Sequence, residues 1–143
     1  MSQVSGENKI KSFTDLDAWR EGHGLVLMIY KVTKSFPKDE IFGLTSQMRR
    51  CAVSITSCIA EGFSRQSYKE KVQFYAMAQG SATELQNQIL IARDIGYINT
   101  DSFQIIATRS VKVHKIVNGL IKYSKSRIPW YLIPYTWYKW VNW

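Results

Sequence analysis

Two histidines, two cysteines and a few carboxylates are the side chains of this 143-residue chain that could carry a reaction. A Cys–His pair can supply a nucleophile and its base. Cys51 and Cys58, however, fall on or beside the apolar side of one helical pattern, and His23 and His114 stand on two other helices. A di-iron bundle needs Glu-x-x-His on each of two helices, and neither histidine follows a glutamate at that spacing. The cysteines lack Cys-x-x-Cys spacing, so no zinc site is expected. Seven residues of helix separate them by about 10.5 Å, too far for a disulfide. They read as small buried hydrophobes, which suits a reducing cytosol. Glu61 and Glu84 each lie beside small residues. They could share a proton as an acid/base pair, or form ion pairs with Arg49 and Arg50; nothing else supports the first. No phosphate loop, dinucleotide fingerprint, metalloprotease helix or nucleophile elbow is present. The chain therefore reads as non-catalytic, with no cofactor and no metal.

The cations are more informative. The net charge is +8. Residues 1–101 hold 12 basic and all 11 acidic side chains, whereas residues 102–143 hold 7 basic and no acidic ones. Nearly all of the positive field comes from the C-terminal third, which points to a polyanionic partner. Arg109, Lys112, Lys115, Lys122, Lys125 and Arg127 are the expected phosphate contacts, on RNA or single-stranded nucleic acid.

Helices must position these groups, since no segment alternates like a strand over a useful length. Residues 1–12 read as a flexible N-terminal arm. They lack an apolar leader segment, and no run of about 20 apolar residues spans a membrane; a cytoplasmic protein is expected. Thr14 or Asp15 can cap a first helix ending near Ser35, before Phe36-Pro37. Its apolar line is Leu16, Trp19, Val26, Leu27, Tyr30 and Thr33, with His23 on the same face as an expected core histidine. The third helix starts at the capping box Ser67-Tyr-Lys-Glu70 and closes at Gly96. Its core line is Tyr75, Ala78, Ala82, Leu85, Ile89 and Ala92, and Gly80 to Ala82 thin its middle for a close approach. The fourth helix, capped by Thr100 or Asp101, runs to about Ser124 on Phe103, Ile106, Val113, Val117, Leu120 and Ile121. Four long helices with short connectors predict an all-α, antiparallel up-down-up-down four-helix bundle over residues 13–125.

The second helix, Gly43 to Arg65, carries three kinds of surface. Leu44, Met48, Cys51, Ala52, Ile55 and Ile59 form its apolar side. Gln47, Arg50, Ser54, Ser57 and Glu61 form a polar stripe. Ser46, Arg49, Val53, Thr56 and Ala60 form a third, small or mixed face. A lone surface helix needs two faces, so a third implies a neighbour. Arg49, Arg50, Val53, Thr56, Ser57, Glu61, Glu84 and Gln88 are the expected oligomer interface. Gly62 reads as the helix stop.

Residues 126–143 differ in kind. They hold 7 of the 19 aromatic residues and four of the five tryptophans. Pro129 and Pro134 forbid a continuous helix. This aromatic C-terminal tail could pack on its own bundle or a neighbouring subunit, be disordered, stack on bases, or sit at a membrane surface.

Several linked motifs in order resemble a known family. Phe13, Asp15, Leu16 and Trp19 form F-x-D-L-x-x-W. Phe36 to Arg50 form F-P-K-x-E-x-F-G-L-T-S-Q-x-R-R. Ala52 to Ile55 and Ile59 to Gly62 give A-V-S-I and I-A-E-G, and Gly80 to Gln88 give G-S-A-x-E-L-x-x-Q. Over roughly Phe13 to Lys125 the chain resembles the four-helix bundle proteins encoded within intervening sequences of bacterial 23S ribosomal RNA genes. The resemblance implies a cytoplasmic homopentamer around a central channel, no enzyme activity, and association with ribosomal RNA. A distantly similar bundle, the accessory variability protein of diversity-generating retroelements, binds nucleic acid and a reverse transcriptase. That makes a protein-interaction scaffold, such as an accessory subunit of a reverse transcriptase, the alternative function. Cys58 stands where the family usually has asparagine, and the aromatic tail extends beyond the usual end of the fold.

Overall fold

Ser12 opens the first turn of the computed structural model, which describes residues 9–133. The Ser12 hydroxyl accepts from Thr14 N–H at 3.3 Å, and the Asp15 carboxylate accepts from Lys11 and Ser12 N–H at 2.9 and 3.0 Å. These bonds cap a short 3-10 turn, Phe13–Asp15. They do not cap the first helix, α1 (Asp17–Thr33), which follows an extended Leu16 with no side-chain cap. α1 ends four residues before Pro37, where the Thr33 hydroxyl donates to the Ile29 carbonyl at 2.7 Å.

A second 3-10 turn, Lys38–Phe42, leads into α2 (Leu44–Ser64). Glu40 caps α2: its Oε2 accepts from Leu44 N–H at 2.8 Å, while the Tyr97 hydroxyl donates to Oε1 at 3.3 Å. A carboxylate at this position meets free N–H groups and the positive end of the helix dipole. α2 does not stop at Gly62. That glycine is buried inside the last turn, and the Lys71 ammonium closes the helix by donating to the carbonyls of Phe63 and Gly62 at 2.6 and 3.4 Å. Burial holds the Lys71 pKa below the usual lysine value.

α3 (Tyr68–Asp94) begins at Ser67, whose hydroxyl accepts from Glu70 N–H at 3.2 Å and donates to the Glu70 carboxylate at 3.0 Å. The expected capping box is half met, since the glutamate takes the hydroxyl rather than a backbone N–H. At the other end Gly96 has φ +86°, and the bonds Tyr97 N–H to Ala92 and Gly96 N–H to Arg93 close a Schellman turn. Asn99 then caps α4 (Thr100–Ser126), accepting from Ser102 N–H at 2.8 Å. This cap falls one residue before the Thr100 expected from the sequence.

Each helix touches the next, and α4 closes back onto α1. Thr33 at the end of α1 meets Arg49 near the start of α2, and Gly22 lies against Thr56 further along. Ser81 meets Ser54 and Gly62 meets Tyr75 between α2 and α3. Between α3 and α4, Arg93 lies over Phe103 and Gln79 bonds Asn118. Paired residues thus run in opposite order along neighbouring helices. Among the described residues every long element is a helix and no strand is present.

The core is filled by Leu25, Ile29, Met48, Ile55, Ile59, Tyr75, Leu85, Ile89, Val113 and Val117. The expected apolar lines of α2 and α3 are buried, with only Leu44 left half-exposed. In α1 the expectation fails at three places. Leu27 and Tyr30 face solvent, and His23 is exposed, stacked on Trp19 with ring centroids 4.7 Å apart. Val26 and Thr33 are buried as expected, and the other buried positions of the helix are Ala18, Gly22, Leu25 and Ile29. In α4, Ser110 and Ser124 sit in the core line, each hydroxyl donating to a carbonyl one turn back at 2.7 and 2.8 Å. Gly80 does not thin α3, for a Cβ there would meet nothing within 4 Å. The close approach is at Ser81, whose carbonyl accepts from the Cys51 thiol at 3.0 Å.

Candidate nucleic-acid interface

α4 buries Ile106, Val113, Val117 and Ile121 against the core, which fixes its opposite face outward. Lys112, Lys115 and Lys122 are exposed there, as expected, and Lys125 is exposed in the last turn. Arg109 is set apart from them. It lies flat across α1, where a Cβ at Gly24 would stand 2.5 Å from its Nη1. Its guanidinium meets Glu21 Oε2 at 2.8 Å, and the Lys112 ammonium meets Glu21 Oε1 at 3.0 Å. One carboxylate therefore engages two of the six expected phosphate contacts. The Lys112 hydrogen bond and the two positive charges hold the Glu21 carboxyl below the usual glutamate value.

Arg127 sits at the C-cap of α4, where cations suit the helix dipole. Its guanidinium lies over the Tyr123 ring at 5.5 Å, and Tyr123 meets Tyr68 edge-on at 6.4 Å. Contacts with the hydroxyls of Tyr123 and Tyr68 raise the Arg127 pKa above the usual arginine value. The start of α3 and the end of α4 thus share one end of the bundle. Arg65, over the ring of Phe74 at 4.5 Å, and Lys69 lie near that end. Sequence reasoning passed over Glu21, Arg65 and Lys69, because only helix register shows where they stand. The expected tail is described only to Ile133; its remaining aromatics, from Tyr135 to Trp143, lie outside the described residues.

The expected subunit residues divide. Arg50, Val53, Ser57 and Glu61 line the exposed side of α2, and Glu84 is exposed on α3. Thr56 and Gln88 are buried within the bundle, 9% and 4% exposed. Arg49 reaches across to α1, its Nε donating to the Thr33 hydroxyl at 2.9 Å and its guanidinium over Tyr30 at 4.8 Å. No ion pair joins Arg49, Arg50, Glu61 and Glu84 among the described residues. Glu84 instead acts on Cys51: burial first, and then this carboxylate, push the thiol up to about 12. Gln88 donates to Glu84 at 3.4 Å, but its own carbonyl oxygen is buried without a donor. Both cysteines are free and buried, and among the described residues no three His, Cys, Asp or Glu side chains converge on a metal position. No described helix is long and apolar enough to cross a membrane.

Residues 14–119 match the pattern of the 23S rRNA-intervening sequence protein family. The chain belongs to that family. Among solved structures, it is similar to a protein of unknown function from the S23 ribosomal protein family of Bacteroides thetaiotaomicron. The TM-score is 0.68 at 19% identity, covering 73% of this chain and 95% of that one. No curated protein matches. The match takes in Arg109, Lys112 and Lys115 and ends at Gly119. Lys122, Lys125, Arg127 and the residues after them stand outside it.

Proposed function

We propose that this chain is a non-catalytic, self-associating bundle that binds RNA or single-stranded nucleic acid through α4, in association with ribosomal RNA in the cytoplasm. The observation that carries this reading is charge placement. The last 42 residues hold seven cations and no acid, and Lys112, Lys115 and Lys122 are exposed on α4. Cations on a rigid helix contact phosphates with little ordering cost, and their affinity is sequence-independent and salt-dependent. Self-association, as a homopentamer by family resemblance, multiplies that surface and its avidity. Phe42 supports it: at 94% exposed, beside Ile41 at 56%, it is the kind of side chain that contacts between chains cover.

Fluorescence anisotropy with labelled RNA across a salt series tests the binding. The slope of log K against log salt should be roughly −0.7 for each phosphate contacted on a single strand. Absence of binding to single-stranded or structured RNA at low salt would overturn it. Native mass spectrometry tests the assembly, with Phe42→Ser expected to shift it toward smaller species. The same exposed Phe42 and Ile41 favour the second reading, a scaffold for another protein such as a reverse transcriptase. A partner retained after nuclease treatment and lost in Phe42→Ser would support that reading.

A further inference from the structure

We propose that the 3-10 turn Trp130–Leu132, just beyond the last turn of α4, is a stacking platform for unpaired bases of a single strand. The proposal rests on the nucleic-acid reading and deepens it by naming the strand type and the place. Trp130, Tyr131 and Leu132 are 80%, 69% and 52% exposed. Exposure alone would say little, but this turn is built. Ile128 before it is buried at 8%, and Ile133 after it packs on the core. Leu132 N–H donates to the Pro129 carbonyl at 2.9 Å and Ile133 N–H to the Trp130 carbonyl at 3.2 Å. Two isoleucines on the core thus pin a hydrogen-bonded turn that carries two large aromatic rings outward. The rings meet edge-to-face, 5.9 Å apart at 84°, so the face of at least one is turned away from the other.

Charge selects the occupant. No acidic residue follows Asp101, and Lys122, Lys125 and Arg127 immediately precede the turn. Arg127 is three residues from Trp130, within about 11 Å of chain. Its guanidinium is already fixed on Tyr123, which in turn meets Tyr68. Alternating cations and aromatic faces are what a single strand requires, with phosphates on the cations and bases on the rings. A duplex hides all but its terminal base faces within its own stack, so these rings add little to duplex binding.

The test uses the full chain and Trp130→Ala/Tyr131→Ala, with thermal melts confirming an unchanged fold. Anisotropy is read with a short oligouridine strand and with a blunt RNA duplex of equal length. The double variant should lose about tenfold on the single strand, keep its duplex affinity within about twofold, and keep its salt slope, since no phosphate contact is removed. Lys115→Ala/Lys122→Ala should weaken both ligands and flatten both slopes. If the wild type binds both RNAs and Trp130→Ala/Tyr131→Ala changes neither, the platform is wrong while the binding reading stands. If the wild type binds no RNA, the binding reading fails and takes the platform with it. Co-sedimentation with anionic vesicles that the double variant abolishes, without any single-strand loss, would assign the turn to a membrane surface and overturn the proposal.

Discussion

Where α2 meets α3, Gly62 lies under the ring of Tyr75 and the Cys51 thiol bonds the Ser81 carbonyl. Where α1 meets α4, Gly24 lies under the guanidinium of Arg109 and Glu21 bridges that guanidinium to Lys112. Both seams use a glycine to admit a larger neighbour, but the neighbours differ. A buried ring cannot move, so the first seam is set by shape. The Cys51 thiol is pushed up to about 12 by burial and Glu84, and it therefore stays protonated across the ordinary pH range. A guanidinium on a flexible stem can swing, so the second seam is set by charge. It will answer to salt, to acid and to a competing anion.

Truncating the ring should break the first seam outright. Tyr75 is 2% exposed and packs in the core against Gly62. Tyr75→Ala is expected to cost about 3–5 kcal/mol, as for other large aromatics in cores, read as a fall in the urea midpoint. Gly62→Ala asks the same question by addition. The new Cβ would stand 2.6 and 2.9 Å from the Tyr75 ring and 3.0 Å from Phe74 Cβ. Overpacking of this kind costs about 1–3 kcal/mol, partly offset by the better helix propensity of alanine, about 1 kcal/mol. A net loss is expected. A stabilised Gly62→Ala would show that the seam can open, and the contrast between the two seams would fail.

Periodicity made the α2 and α3 cores legible. Met48, Cys51, Ala52, Ile55 and Ile59, like Tyr75 through Ala92, are apolar at helical spacing and are buried. It misled in α1 because residues 25–30 are apolar throughout, so more than one register fits: Leu25 and Ile29 are buried while Leu27 and Tyr30 point outward, and the buried Ala18 and Gly22 give little signal to decide. Ser110 and Ser124 hid in the same way, since a hydroxyl bonded one turn back packs like a small apolar group. Gly62 read as a helix stop, and only the position of Tyr75 shows that it is a close approach inside the helix. The candidate site was visible as a list of cations. That Glu21 occupies Arg109 and Lys112 depends on the register of two helices far apart in the chain, which no local pattern records.

Gly119→Ala sharpens the comparison with a smaller effect of opposite sign. Gly119 lies within α4 on its exposed face, and a Cβ there would meet nothing within 4 Å. With no neighbour to displace, alanine should stabilise by about 0.5–1 kcal/mol through helix propensity and a less entropic unfolded chain. Differential scanning calorimetry of Gly62→Ala and Gly119→Ala should therefore move the transition in opposite directions. Movement in the same direction would mean that packing at Tyr75 does not control the outcome.

Glu21→Gln acts on the second seam and should move two readouts in opposite directions. Its pairs with Arg109 and Lys112 are partly exposed, at 24% for Glu21 against 31% and 59% for the cations. Such pairs contribute about 0.2–1 kcal/mol, screened by salt. The variant should therefore lose no more than about 1 kcal/mol at low ionic strength and still less at high. The Glu21 carboxyl is held below its usual 4.5 by the Lys112 hydrogen bond and the two charges. Its contribution is thus complete above the ordinary glutamate range and fades as pH falls through the lower folded value. Wild type and variant should converge in stability in acid, and only there or in high salt. RNA binding should go the other way. With the carboxylate gone, Arg109 and Lys112 are available to phosphates, and the salt slope should steepen by about 0.7 for each newly engaged cation. Unchanged RNA affinity and slope would mean that phosphates reach the protein elsewhere, leaving Glu21, Arg109 and Lys112 as fastenings between α1 and α4. A stronger, steeper response would show one carboxylate joining two helices while restraining the surface that α4 presents.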